Sequence, residues 1–258
     1  MMNRLYVIVL LISAFLFSCE DVIDVNLNDA DPQLVIVGTV SNRLYEQQVT
    51  ISRTVAFDVA QPHDPVSGAE VTVVDGAGRV FQYQEESPGV YVNNFRGREG
   101  ERYDLSVQVE GQVFMATSTM PRLVTADSIG TGVRTIFGEE QKFISLRYAD
   151  PLGVSNYYRY LWRVNGGPLE MLRVSEDKFN DGKYVSEDLM DFDTELVAGD
   201  SVTVWMQCID IATYDFWNAV QSTNPGTAAP ANPPSPYGDG ALGYFSAYAE
   251  SEMPTVVQ

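Results

Sequence analysis

The sequence is poor in the residue types that build many catalytic and metal centres. Its 258 residues include one His and two Cys. Two Cys cannot form a disulfide framework, and a single His rules out a metal site made of several imidazoles. Basic residues are also scarce, with 16 Lys and Arg against 35 Asp and Glu. Because a net charge of −19 repels phosphate backbones, we expect no nucleic-acid partner.

The rest of the composition is typical of a folded protein. Hydrophobic residues make up 45% of the chain and aromatic residues 11%, so extensive disorder is not expected. The length permits one large domain or two domains of about 100–130 residues each.

A short apolar run stands near the start of the chain. The run Leu5–Phe17 follows Arg4 and is shorter than the about 20 apolar residues of a membrane-spanning helix. The residues Leu16-Phe17-Ser18-Cys19 resemble a bacterial lipobox, in which cleavage occurs before a Cys that is then acylated, although Phe17 is bulkier than usual. We predict a lipoprotein signal peptide over 1–18 and a palmitate anchor on Cys19. The alternative is an ordinary secretory signal peptide followed by a coincidental Cys.

After a polar tether over 19–32, the sequence has the residue pattern typical of β-strands. Apolar and polar residues alternate in short stretches, with turn residues between them about every 8–12 positions. The predicted strands are 33–39, 48–53, 69–74, 79–84, 90–92, 103–109, 112–118, 141–149, 156–164, 169–174 and 201–209. We therefore predict a mainly all-β fold of two sandwich domains, 33–122 and 123–258.

One segment has helical spacing. A short helix is predicted near 211–222, with Thr213 as the capping residue at its N terminus. A Pro-rich loop over 224–238 follows. Two further strands are predicted after it, the first over 241–248.

Alternation also predicts which side chains are inside. Tyr158, Tyr160 and Trp162 share one face of their strand, which favours a sandwich core. Cys208 lies in an apolar alternating run and is predicted to be an inert, buried thiol.

The densest acidic stretch contains a candidate cation site. Asp177, Asn180 and Asp181 offer oxygen ligands of the kind that Ca²⁺ prefers, but Phe179 stands where an EF-hand loop would place a ligand. A loose surface Ca²⁺ site and a solvated hairpin turn are the two interpretations.

Aromatic residues near the C terminus suggest a binding surface. We predict that Tyr237, Tyr244 and Phe245 form a surface that stacks on sugars or contacts a protein partner. The alternative is that these aromatic residues belong to a sandwich core.

Two further patterns are not interpreted as sites. Gly238–Gly243 matches a dinucleotide-binding fingerprint, but a Pro-rich loop precedes it in place of a strand, and the chain after it is too short for the expected unit. His63 lies between prolines, which is a poor position for a catalytic base.

Several segments together resemble a known family. They are Cys19–Asp24, Leu34–Gly38, Tyr148–Gly153, Tyr214–Trp217 and Gly240–Phe245. They look like the Bacteroidota outer-membrane lipoproteins called domain of unknown function 4249. The resemblance implies anchoring to the outer membrane with exposure at the cell surface, beside TonB-dependent receptors. The region after Pro65 also resembles Ig-like and carboxypeptidase-regulatory-like sandwiches. The family assigns no catalytic residues.

Three classes of function are compatible with these observations. The leading hypothesis is a binding or assembly accessory of a TonB-dependent receptor uptake system, held to the membrane through Cys19 and requiring no catalytic residue or cofactor. The alternative is a surface hydrolase that uses carboxylates or a metal on glycan or peptide. A purely structural spacer in the cell envelope is the third.

Overall fold

The computed structural model describes residues 31–55, 64–222 and 233–258. From Pro32 onward these residues belong to one compact unit. The predicted signal peptide, Cys19, nearly all of the tether, His63 and the first part of the Pro-rich loop lie outside the described residues. Among those described, no helix is both long and apolar enough to cross a bilayer.

Alternating burial along the chain produces short strands in nearly every predicted place. In the first half they are β1 (Leu34–Ser41), β2 (Tyr45–Arg53), β3 (Asp64–Pro65), β4 (Glu70–Asp75), β5 (Val80–Gln82), β6 (Gln84–Ser87), β7 (Val90–Phe95), β8 (Arg102–Val109) and β9 (Gln112–Thr119). In the second half they are β10 (Ser128–Ile136), β11 (Glu139–Ala149), β12 (Tyr157–Val164), β13 (Glu170–Glu176), β14 (Tyr184–Leu189), β15 (Ser201–Ile209) and β16 (Leu242–Val256). Helix α1 (Ile211–Ser222) and a 3₁₀ turn (Gly238–Gly240) complete the elements. The prediction of a mainly β fold with one helix near the C terminus is confirmed.

The strands form three sheets. The long sheet has nine strands, in the order β13-β12-β15-β16-β1-β2-β7-β6, with β3 paired to β2. A four-stranded sheet has the order β5-β4-β8-β9, and a three-stranded sheet has the order β10-β11-β14.

Both small sheets pack on the same face of the long sheet. Side chains of a strand alternate between faces, and on β16 the odd-numbered Phe245 and Ala247 belong to the first core while Met253 packs against the second. The first core lies between the four-stranded sheet and the β1–β2 side of the long sheet, and the second between the three-stranded sheet and the β12–β15 side. The opposite face of the long sheet is therefore left for helix α1 and for solvent. We call it the outer face.

Strand β16 connects the two cores. Its first half runs parallel to β1, pairing Val35 with Leu242, and its second half runs antiparallel to β15, pairing Cys208 with Ala249. The two separate strands predicted for this region are thus one continuous strand. Gly243 permits the close approach to β1, because a Cβ at this positive-φ residue would lie 2.0 Å from the Ile36 carbonyl oxygen.

The predicted domains share this strand. The boundary predicted after residue 122 is followed at once by Leu123, whose side chain packs against both cores. The segment 241–249, predicted to belong to the second domain, supplies Ala241 and Ala249 to the first core. The reason is topological, since the parallel β1–β16 pairing brings the C-terminal strand back to the start of the fold.

Side chains hold both ends of helix α1, one as an N-terminal cap and one through contacts with β13. The cap is Asp210, whose carboxylate accepts a hydrogen bond of 2.9 Å from the Thr213 backbone N–H, and Thr213 itself is buried. This corrects the assignment of Thr213 as the cap. At the other end, Gln221 donates to the Leu172 carbonyl and accepts from the Val174 N–H. Gln221 thereby satisfies the open edge of β13, which is the last strand of the long sheet.

Candidate functional site

An open groove of about 500 Å³ lies on the outer face of the long sheet. Its floor consists of alternate residues of β12, β15 and β16, all pointing away from the cores. The chain between β1 and β2 and the turn before β13 form its sides. The lining residues are Arg43, Leu44, Tyr45, Leu161, Arg163, Leu169, Trp205, Gln207, Tyr248, Glu250 and Glu252. We call this the outer-face groove.

One row of side chains crosses the sheet at the groove. Arg159 of β12 pairs in register with Gln207 of β15, and Gln207 pairs with Glu250 of β16. Gln207 is 6% exposed and donates a hydrogen bond of 3.1 Å from Nε2 to Glu250 Oε2. This bond fixes the orientation of the amide, because a flipped amide would place two acceptor oxygens together. The Gln207 Oε1 therefore points away from Glu250, and no described residue donates to it.

The other carboxylate oxygen of Glu250 is held by groups at the groove edge. Tyr45 donates its hydroxyl to Glu250 Oε1 at 3.0 Å and lies 3.4 Å from the hydroxyl of Tyr248. Arg43 contacts Glu250 at 3.7 Å and Glu252 at 3.5 Å. Burial, together with the Glu250 charge, raises the pKa of the Tyr248 hydroxyl well above its usual value, so Tyr248 stays a neutral donor.

The neighbouring row of the groove is more apolar. Leu161, Trp205 and Glu252 stand side by side in register. Arg163 lies over the Trp205 ring, with its guanidinium carbon 5.5 Å from the ring centroid. The lining thus combines an indole ring with hydrogen-bonding groups of both kinds.

Several buried polar atoms on the outer face of the long sheet and on helix α1 have no partner. Among the described residues, no hydrogen-bond partner is present for Arg159 Nε, Gln207 Oε1, Trp217 Nε1, Thr213 Oγ1 and Ser246 Oγ. Arg159 stacks on Trp217 at 4.2 Å, and Ser246 shares the outer face of β16 with Tyr248. Buried polar groups are nearly always satisfied by protein, water or a ligand, so this region has unused hydrogen-bonding capacity.

The acidic stretch forms a second polar site elsewhere in the fold. Asp150, Asp177 and Asp181 place carboxylate oxygens within 4.8 Å of one another, and the first two are buried. The predicted site shared two of these residues, Asp177 and Asp181. The structure brings in Asp150 from the end of β11, while Asn180 contributes a backbone N–H to the turn, which donates to the Asp177 carbonyl. We call Asp150, Asp177 and Asp181 the acid cluster.

Each carboxylate of the acid cluster already accepts a hydrogen bond from the chain. Asp150 accepts from the Tyr158 hydroxyl at 2.5 Å, Asp177 from the Asn156 N–H at 2.8 Å, and Asp181 from the Gly153 N–H at 2.6 Å. Burial and the two neighbouring carboxylates raise the pKa of Asp150, although the Tyr158 hydrogen bond opposes this. These bonds tie the loop before β12 to the loop between β13 and β14. The three carboxylates are also the described residues that have the right chemistry for Ca²⁺.

The three aromatic residues predicted to form a binding surface are buried. Tyr237 and Phe245 belong to the first core. Tyr244 lies under helix α1, with its ring 4.8 Å from the Phe216 ring and 5.4 Å from the Trp217 ring. This corrects the expectation of an exposed surface. The parallel pairing of β16 with β1 draws Tyr244 and Phe245 into the body of the fold. Tyr237, which precedes β16, packs against Phe114 and donates its hydroxyl to the Tyr244 carbonyl.

The predicted interior of the second half is confirmed. Tyr158, Tyr160 and Trp162 are buried in the second core. Cys208 is 1% exposed, and burial raises the pKa of its thiol to about 12. A thiol in this state is not a nucleophile at neutral pH.

The comparison with known families is decided by one match. The family model for domain of unknown function DUF4249 matches residues 20–253. The chain belongs to this family. Two segments that carry the resemblance, Tyr214–Trp217 and Gly240–Phe245, build the contact between helix α1 and β16 in this DUF4249 chain. No curated protein matches the sequence.

One solved structure that the chain matches is the crystal structure of a DUF4785 family protein from Legionella pneumophila. It is 9% identical, with a TM-score of 0.22, and the match covers 69% of the DUF4249 chain and 52% of that protein. The chain therefore spans about half the length of the Legionella protein. A likeness at this level carries no information about function.

Sequence reasoning missed the residues of the outer-face groove. Gln207 and Glu250 were not singled out, although each is a polar residue in an apolar, strand-like run. A buried polar side chain in a strand needs a partner, and this is the pattern in the sequence that points to them. Their pairing across β15 and β16 is visible only in the folded chain.

Proposed function

We propose that this protein is a lipid-anchored binding module of the outer membrane, which holds a ligand in the outer-face groove and serves an uptake receptor. The observation that carries the proposal is the groove itself, with a buried, unpartnered acceptor beside aromatic and charged side chains. A groove with a few convergent polar groups is the usual form of a ligand site.

The anchor rests on the sequence. The lipobox-like residues end at Cys19, and the family match begins at residue 20, directly after that Cys. The TonB-dependent receptor as the partner class comes from the family resemblance.

Metabolic labelling with a palmitate analogue tests the anchor. We expect the wild-type chain to be labelled and to fractionate with outer membranes, and the Cys19→Ala variant to lose both properties. Cys208→Ala is the matched control, because that thiol is buried in the second core. Persistent labelling of the Cys19→Ala variant would contradict the proposal.

Co-purification tests the partner. The tagged chain is recovered from outer membranes in a mild detergent, and the expected companion is a barrel protein of the TonB-dependent class. If the chain is labelled at Cys19 but no barrel protein is recovered with it, the receptor is excluded as the partner. The proposed lipid anchor is unaffected by that result.

A surface hydrolase is the second candidate, because two carboxylates line the same groove. Glu250 and Glu252 point to the outer face two positions apart on β16, and glycoside hydrolysis requires two carboxyl groups. Arg43 contacts both of them, which favours a fixed binding surface over independent acid and base roles. Release of new reducing ends from an oligosaccharide, lost in a Glu250→Gln variant, would favour the hydrolase.

A further inference from the structure

We infer that the ligand of the outer-face groove is an uncharged, polyhydroxylated molecule, namely an oligosaccharide. This inference rests on the proposed binding function and names the chemistry of its ligand. It follows from the unpaired acceptor of Gln207, the balance of charge in the groove, its aromatic side chains, and the orientation of the strands that form it.

The first step concerns the unpaired groups. Arg159 Nε is a buried donor and Gln207 Oε1 is a buried acceptor, and the two residues are direct cross-strand neighbours. Only Gln207 of this pair lines the groove, so its unpaired oxygen is the group that a groove ligand can complete. That oxygen needs a hydrogen-bond donor, which a hydroxyl group supplies and an ionised anion does not.

The second step concerns charge. The groove is lined by two guanidinium groups and two carboxylates. Arg43 contacts both Glu250 and Glu252, so these charges compensate one another within the protein. A site for a charged ligand would present an excess of the opposite sign. The remaining capacity is for neutral hydrogen bonding.

The third step concerns the aromatic groups. Trp205 lines the floor of the groove and Tyr45 its edge, and the Tyr45 side chain is 43% exposed. These aromatic rings, with hydroxyl groups around them, complement the alternating apolar and polar surface of a pyranose ring. A pyranose can therefore stack on them.

The fourth step concerns peptides. The groove floor is the face of β12, β15 and β16, and each of these strands is paired on both sides. A peptide that binds by adding a strand needs an open sheet edge, and this face has none. The observations therefore favour a sugar over a peptide.

The experiment uses the full, lipid-anchored chain solubilised in lauryldimethylamine oxide, because glycoside detergents would compete for the site. Calorimetric titration is carried out with four probes: maltohexaose, cellohexaose, xylohexaose and mannohexaose. Tetraalanine serves as the peptide probe. We expect at least one oligosaccharide to bind and the peptide not to bind.

Two variants locate the binding. Gln207→Met removes the unpaired acceptor at similar volume and is expected to weaken oligosaccharide binding at least about tenfold, the effect of a lost hydrogen bond in a buried site. Trp205→Ala, at a partly exposed position, is expected to weaken it at least as much. Gln48→Met and Phe137→Ala make comparable changes at exposed positions away from the groove and should bind as the wild type does.

The outcomes separate this inference from the proposed function. No binding of any of the four oligosaccharides, binding of tetraalanine instead, or unchanged binding by both groove variants overturns the oligosaccharide ligand. If the wild-type chain in the same preparation carries the palmitate label, the proposed lipid anchor stands even when the oligosaccharide ligand does not. Thermal unfolding of each variant shows whether it is folded. If Gln207→Met is unfolded, the titration of Trp205→Ala decides whether the oligosaccharide binds in the groove.

Discussion

The outer-face groove and the acid cluster both bury a carboxylate beside a tyrosine hydroxyl, yet they differ in what remains unused. In the acid cluster, Asp150 accepts from Tyr158 and each neighbouring carboxylate accepts from a backbone N–H. In the groove, Glu250 is satisfied by Gln207 and Tyr45, but Gln207 has an oxygen to which no described residue donates a hydrogen bond.

The difference distinguishes polar groups that stabilise the fold from polar groups that are available to a ligand. A polar network that satisfies itself holds loops together and gains little from a ligand. A network that leaves an acceptor unused in a groove gains more, because an unmade buried hydrogen bond costs about 1–3 kcal/mol. The predictions below test whether the two sites differ in this way.

The largest expected effect is the loss of Asp150. Asp150→Ala removes the acceptor for the buried Tyr158 hydroxyl and for the Gly182 N–H. We expect the free energy of unfolding to fall by about 2 kcal/mol or more. Denaturant unfolding measures it, with Asp239→Ala at an exposed position as the control. A loss no greater than that of the control would show that the acid cluster does not hold the fold.

A smaller effect is expected in the groove. Gln207→Met removes one hydrogen bond that is made, to Glu250, and one acceptor that is not. We expect the free energy of unfolding to change by less than about 1 kcal/mol, because these two terms oppose each other. Denaturant unfolding without ligand measures it. A loss as large as that of Asp150→Ala would mean that the groove network is structural as well.

The pH dependence of stability sharpens the comparison. The pKa of Asp150 is raised in the folded chain, so its ionised form disfavours folding, and this cost is relieved as pH falls through the folded pKa. Asp75 is the opposite case, since hydrogen bonds from Arg79 and Ala77 outweigh burial and lower its pKa. Its contribution is present above the unfolded pKa and is lost as pH falls through the folded one.

Matched variants measure both contributions between about pH 7 and pH 3. On acidification, the wild type should gain stability relative to Asp150→Asn and lose its advantage over Asp75→Asn. Parallel curves for the wild type and Asp150→Asn would contradict a raised Asp150 pKa.

The smallest effect is expected from calcium. The carboxylates of the acid cluster could jointly hold Ca²⁺, but each already accepts a hydrogen bond that the ion would have to replace. We expect roughly millimolar CaCl₂ to raise the unfolding temperature only slightly, through relief of repulsion among the three charges, and Asp181→Asn to abolish the rise. A large rise would mean that the acid cluster is a calcium site rather than a self-satisfied network.

Local patterns predicted much of the fold. The run at 201–209 became β15, and residues 211–222 became helix α1 with matching bounds. The alternation of Tyr158, Tyr160 and Trp162 correctly placed them in a core. These features depend on neighbours within a few positions, since the side-chain period of a strand or helix is local.

The errors have a common cause in long-range pairing. Phe245 lies in the first core because β16 pairs with β1 from the other end of the chain. The acid cluster gained Asp150, which is remote in sequence from Asp177, because β11 pairs with β14 and the Asp150 N–H donates to the Lys183 carbonyl. Neither contact leaves a local pattern.

The sequence by itself determined the β-rich pattern, the helix near the C terminus and the burial of alternating residues, because each depends on residues close together in the chain. Only the tertiary structure decided that β16 joins two cores and that Arg159, Gln207 and Glu250 form one row. That row exists because three strands from separate parts of the chain meet in one register, and register is set by the packing of the whole sheet.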